Sequence, residues 1–308
     1  MKLNPKPRQA ALPNPTLVAG LALSDDGGDV IVGQTASADH PALSRWDVPS
    51  LSRLDDISGC PLSEGQDTCN VLSRTGGLLA VAGITGQRLT LIDLDSDTRT
   101  QPTQGHVVWA ALRGDVLATG GARAQIRDPR SGELLWQQDP PATPDPNYPS
   151  RAPLVAPHPG GRQFAVGGTG APDIRLHSLA GDHRTTLTGA PPRLRWLEYS
   201  PDGTYLVALD ASVRSMVVWR SGEESPHLPD EFTDNAPQIW SIAFHPDGRH
   251  CAVGMLSGVI RLYRLSDGEL LDRQSLHLGR VQALAFTPDG STLFSGGDDG
   301  KLLCWAVE

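Results

Sequence analysis

A turn built on Pro-Asp-Gly or a close variant recurs along this chain, each time followed by a short apolar run, and few folds accept such a pattern. The turn segments are Ser24-Asp25-Asp26-Gly27, Ser73-Arg74-Thr75-Gly76, His158-Pro159-Gly160-Gly161, Ser200-Pro201-Asp202-Gly203, His245-Pro246-Asp247-Gly248 and Thr287-Pro288-Asp289-Gly290, with Arg113-Gly114-Asp115 as a shortened version. A β-rich run follows each one (VIVG, LLAVAG, VLATGG, FAVGG, YLVALD, CAVGM, LFSGG). A further run then ends at Trp46, Ile92, Arg127, His177, Trp219, Tyr263 and Trp305. Pro and Gly fall in the gaps between runs, which is what antiparallel hairpins require.

Successive run ends lie 35 to 50 residues apart, bracketing the roughly 40–45 residues of a four-stranded propeller blade. The pattern predicts an all-β fold: one domain over residues 1–308, a seven-bladed β-propeller of four-stranded antiparallel blades. Each blade buries its faces on its neighbours, so a hydrophobic content of 39% is sufficient. The chain stops just after the run LLCWAV, which leaves the seventh blade without its outer strand. Residues 8–13 are expected to supply that strand and close the ring, and residues 1–7 to form a flexible tail.

A formal net charge of −9 with scattered Lys and Arg carries no nucleic-acid footprint. The N-terminus lacks an apolar signal core, and no run reaches the length of a membrane span, so a cytoplasmic protein is expected. Cys251 and Cys304 fall in strand positions. Cys60 and Cys69 share an inserted segment and could bridge, but with no secretion signal they are expected reduced. No Cys or His spacing suggests zinc, and no cofactor or metal is expected.

In aggregate these residues resemble the WD-repeat family, of the short stand-alone bacterial type, most closely from residue 192 onward. The resemblance implies a structural tetrad in the last blade: His277 before the first strand, Ser295 in the second, Asp299 in the following turn and Trp305 closing the third. Such a relay satisfies buried polar groups and stiffens the blade. It looks like a catalytic Ser/His/Asp set on paper, but no GxSxG elbow surrounds Ser295, which lies within a strand; no catalytic residue is assigned. Earlier blades keep only fragments, such as Trp46-Asp47, Gly105-His106 with Thr119, and Ser257 with Tyr263.

Propellers bind partners through loops that enter their inner strands. Aligned on Val281, the flanking positions are Arg280 and Gln282 in blade seven, Gln238 and Trp240 in blade six, and Arg193 and Arg195 in blade five, with Arg151 corresponding in blade four. A basic, tryptophan-bearing rim on an acidic protein suits an acidic peptide or protein partner. The expected function is a non-enzymatic interaction scaffold. The alternative, a propeller lactonase or sugar hydrolase, needs several inward carboxylates or histidines, and Glu198 is the only carboxylate on the inner strands read here. His158 and His245 are read as surface turn positions at the opposite end. Insertions at 49–67, 139–153 and 222–237 are read as surface loops that contain or skirt outer strands.

Overall fold

A computed structural model of the chain describes residues 1–12, 16–35, 42–57, 69–83, 89–103, 107–121, 123–138, 153–168, 173–191, 193–228 and 238–308. The fold is the all-β, seven-bladed propeller that the repeat implies, its strands forming seven antiparallel sheets. It comprises two compact units, residues 1–100 with 238–308 and residues 101–237. The first holds blades six, seven, one and two; the second holds blades three, four and five.

Turn chemistry explains the repeat. In blades one, five and seven the first hydroxyl donates to the turn aspartate: Ser24 to Asp26, Ser200 to Asp202 and Thr287 to Asp289, each at 2.6 Å. The same carboxylates accept backbone N–H groups of Gly28, Thr204 and Ser291. Gly27, Gly203 and Gly290 follow with φ of +72°, +74° and +74°, a conformation that glycine adopts without steric cost. Both hydroxyl and amide bonds stabilise the ionised form, and the Asp289 carboxyl is lowered from its ordinary value chiefly by Thr287.

Second strands read as unbroken apolar runs because both of their faces are buried. Every residue of Leu78–Gly83 and Val116–Gly121 is buried, whereas the outer strand Arg53–Asp56 is exposed throughout. In the first unit, Val30, Val32 and Trp46 of blade one pack on Phe294 and Cys304 of blade seven. Leu284, Phe286 and Trp305 of blade seven pack on Ile260 and Leu262 of blade six. In the second unit, Leu154 and Ile174 meet Leu197, Leu206 and Trp219. Each such side chain contributes roughly 1.5–3 kcal/mol of burial. Close approach also requires glycine: a β-carbon at Gly296 would collide with Val18 of blade one.

Blade seven takes its fourth strand from the N-terminus, where Arg8 and Gln9 pair with Cys304 and Leu303. The pairing reaches beyond the expected segment. Lys2 and Glu308 exchange two backbone bonds of 2.8 Å, and Asn4 donates to Ala306. Leu3 is buried in the blade six–seven core. Residues 2–4, expected as part of a flexible tail, are thus held by backbone pairing and by one apolar anchor.

Blade five departs from the four-strand expectation. Its described sheet has three strands, with Leu228 forming an isolated bridge to Val218 at the outer edge. Outer strands Arg53–Asp56 and Leu134–Gln137 border or enter the first two insertions. Cys251 and Cys304 are buried and free; burial pushes the Cys251 thiol up to about 12. Cys60 lies outside the described residues, as does the side chain of Cys69. Among the described residues no helix is long and apolar enough to cross a membrane.

Candidate functional site

Six blades share one irregularity: near the start of the first strand, the register against the second strand slips by one residue. In blade six Ile239 faces Met255 and Ser241 faces Gly254, so Trp240 stands unopposed. Gln282 in blade seven and Arg195 in blade five occupy the same position. A bulge of this kind re-aims a side chain away from the pleat. Just before it, the carbonyls of Arg193, Gln238 and Arg280 accept backbone N–H bonds of 2.9, 2.7 and 3.0 Å from Ala211, Leu256 and Asp298. These loops are therefore equivalent in structure as well as in sequence alignment.

In the first unit, four side chains close a cycle. The Trp240 indole donates to Gln282 Oε1 at 2.6 Å, and Gln282 donates to Asp298 Oδ1 at 2.5 Å. Arg280 Nε donates to Asp298 Oδ2 at 2.7 Å, while its guanidinium carbon lies 4.7 Å from the Trp240 ring centroid. Burial works to raise the Asp298 carboxyl, but the bonds from Arg280 and Gln282 outweigh it and hold the group below its ordinary value. Asp298 balances the Arg280 charge at this loop. Trp240 and Arg280 are thereby held in place, each half-buried. Leu278, two residues before Arg280, is 77% exposed.

In the second unit, Arg193 is exposed and Arg195 is half-buried. Arg151 lies outside the described residues, as do Gly105 and His106. The first strands of this unit carry a second constellation that the sequence reading missed. Trp109 of blade three and Trp196 of blade five meet edge-to-face with centroids 4.7 Å apart, and the Trp109 indole donates to Val155 of blade four at 3.1 Å. Arg113 pairs with Glu198 at 2.9 Å, and Trp196 donates to the other Glu198 oxygen. Glu198 is thus held by a cation and an indole. Its signal in sequence was two tryptophans at like positions of their strands.

The blade-seven residues His277, Ser295, Asp299 and Trp305 form a continuous relay. Trp305 Nε1 donates to Ser295 Oγ at 2.8 Å, His277 Nε2 lies 2.8 Å from the same oxygen, and His277 Nδ1 lies 2.9 Å from Asp299 Oδ1. The Asp299 carboxylate only accepts, so His277 Nδ1 carries the proton toward it, and in the neutral ring Nε2 accepts from the Ser295 hydroxyl, which itself accepts from the indole. Asp299 also accepts from the backbone of Leu278 at 2.9 Å, which fixes the loop bearing Leu278 and Arg280. Burial lowers the His277 pKa despite Asp299. In blade one, where Val32 takes the position of Ser295, the Trp46 indole donates instead to Ser44 of its own strand at 2.9 Å.

Between blades four and five, a cavity of about 260 Å³ is walled by Leu176, Leu187, Leu206, Trp219 and Tyr199. The Tyr199 hydroxyl is buried there, with Gln163 beside it but no hydrogen bond of good geometry among the described residues.

Repeated four-stranded blades and a buried His-Ser-Asp-Trp relay define a repeat-built β-propeller. The WD domain, G-beta repeat model matches residues 229–264 and 268–306, which include the strands of blades six and seven, and supports a WD-repeat propeller. WD repeat-containing protein 1 of Bos taurus is 31% identical over 162 residues, covering 50% of this chain and 26% of that protein. Protein groucho of Drosophila melanogaster is 28% identical over 113 residues, 36% of this chain and 15% of its own length. Telomerase Cajal body protein 1 of Mus musculus is 33% identical over 138 residues, 43% and 25% respectively. The match spans about a quarter or less of each relative.

Proposed function

We propose that this chain is a non-enzymatic interaction scaffold that binds a partner protein or peptide through the loops entering its first strands. The observation that carries the reading is the Trp240–Gln282–Asp298–Arg280 cycle. A tryptophan and an arginine are held ready at a bulge, beside an exposed leucine, so little side-chain entropy is lost on binding. Arg193 and Arg195, on the corresponding loop of blade five in the second unit, are basic positions that suit an acidic partner. WD-repeat relatives as a group support a scaffold role. The only carboxylate of the inner strands read in sequence, Glu198, is engaged by Arg113 and Trp196, which gives a hydrolase reading no support.

A photo-crosslinking residue placed at Leu278 in the native cell tests the reading. The expected result is one discrete protein adduct, with none from the same probe at Leu270 on the outer strand of blade six. No adduct from Leu278, or identical adducts from both positions, contradicts it.

A further inference from the structure

The turn of blade six differs from those of blades one, five and seven. Where they open with Ser24, Ser200 and Thr287, blade six has His245, and a second histidine, His250, follows two residues after the glycine. Asp247 stands between them, one oxygen 3.1 Å from His245 Nδ1 and the other 2.7 Å from His250 Nδ1. One donor atom from each residue lies within 4.8 Å of the others.

The protonation pattern is informative. His245 Nε2 lies 3.2 Å from the carbonyl oxygen of Gly290 in blade seven. A carbonyl only accepts, so Nε2 carries a proton; Nδ1, which offers a lone pair when the ring is neutral, faces Asp247. The backbone N–H of Asp247 reaches that lone pair only at 3.3 Å. In the sister turns a hydroxyl donates a hydrogen bond to the aspartate at 2.6 Å; here an imidazole nitrogen, a metal-donor atom, faces it at 3.1 Å. A histidine whose far nitrogen donates to a backbone carbonyl is also arranged as metal-ligating histidines are. The ring is further steadied edge-on against Phe286, centroids 5.1 Å apart.

We propose that His245, Asp247 and His250 form a binding site for a divalent transition metal of the zinc class. Two imidazole Nδ1 atoms and one carboxylate oxygen are the donor types such an ion takes. Binding displaces the proton that His250 shares with Asp247 and leaves a coordination position for water or a partner's side chain. Through His245 and Gly290 the ion braces blade six against blade seven. The site lies at the other end of the blade-six first strand from Trp240 and is independent of the proposed docking loops.

The test uses the untagged full chain, stripped with a chelator and dialysed, then titrated with Zn²⁺ and, as an optical probe, Co²⁺. Wild type is expected to bind one equivalent and to gain thermal stability on addition of zinc. His250→Ala is expected to lose both, while His158→Ala, altered in a turn that has no aspartate, keeps both. His250 is a surface residue, and circular dichroism of the metal-free variant checks that it folds. Absence of saturable binding by wild type overturns the proposal. So does an equivalent held equally by His250→Ala, since the metal would then sit elsewhere.

Discussion

Trp305 and His277 share one oxygen: Ser295 Oγ accepts from the indole at 2.8 Å and lies 2.8 Å from His277 Nε2. All three groups are buried. Ser295→Ala therefore strands an indole N–H and an imidazole nitrogen together, and an unsatisfied buried group costs about 1–3 kcal/mol. Urea denaturation is expected to show a loss in that range. A loss below about 0.5 kcal/mol, the scale of ordinary surface substitutions, would mean the relay carries no stability.

The same relay sets a pH dependence. His277 is held below its ordinary value of 6.5, first by burial. The unfolded chain then binds a proton that the folded chain refuses, so stability is full above pH 6.5 and falls as pH drops below it. His158 and His177 are lowered by burial and act in the same direction. His277→Gln is expected to flatten the slope of stability against pH on the acid side of 6.5 relative to wild type; equal slopes would remove His277 as a contributor.

Tyr199 predicts the opposite sign from most core substitutions. Its buried hydroxyl has Gln163 beside it but no hydrogen bond of good geometry among the described residues, so Tyr199→Phe gives up little and is expected to be neutral or stabilising by about 1 kcal/mol. Destabilisation beyond about 1 kcal/mol in thermal or urea unfolding would show that the hydroxyl is satisfied in solution.

Leu3 separates an anchored N-terminus from a flexible tail. Buried against the core that holds Trp305, it is expected to cost about 2 kcal/mol when changed to alanine, at the low end for core leucines because a terminal strand relaxes. A tail would give no change.

Much of this structure is written locally. Ser-x-Asp-Gly and Thr-x-Asp-Gly turns carry their own hydrogen bonds, and the apolar second strands announce burial on both faces. His277, Ser295, Asp299 and Trp305 sit in one repeat, so their alignment could be read directly. What escaped depended on partners in other strands or blades. Asp298 balances Arg280 only because the hairpin folds back on the entry loop. Trp109 finds Trp196 from two blades away, and Leu3 is placed by pairing with the far end of the chain.

The scaffold reading is tested most directly by affinity capture from the native lysate, comparing wild type with the Arg193→Glu, Arg195→Glu, Arg280→Glu variant after circular dichroism shows both folded. The Arg280→Glu change sets a second carboxylate against Asp298 in place of the guanidinium, opening the cycle that holds Trp240. A protein captured by wild type and reduced at least tenfold with the variant is the predicted result. Equal capture by both would place the binding surface elsewhere and contradict the account.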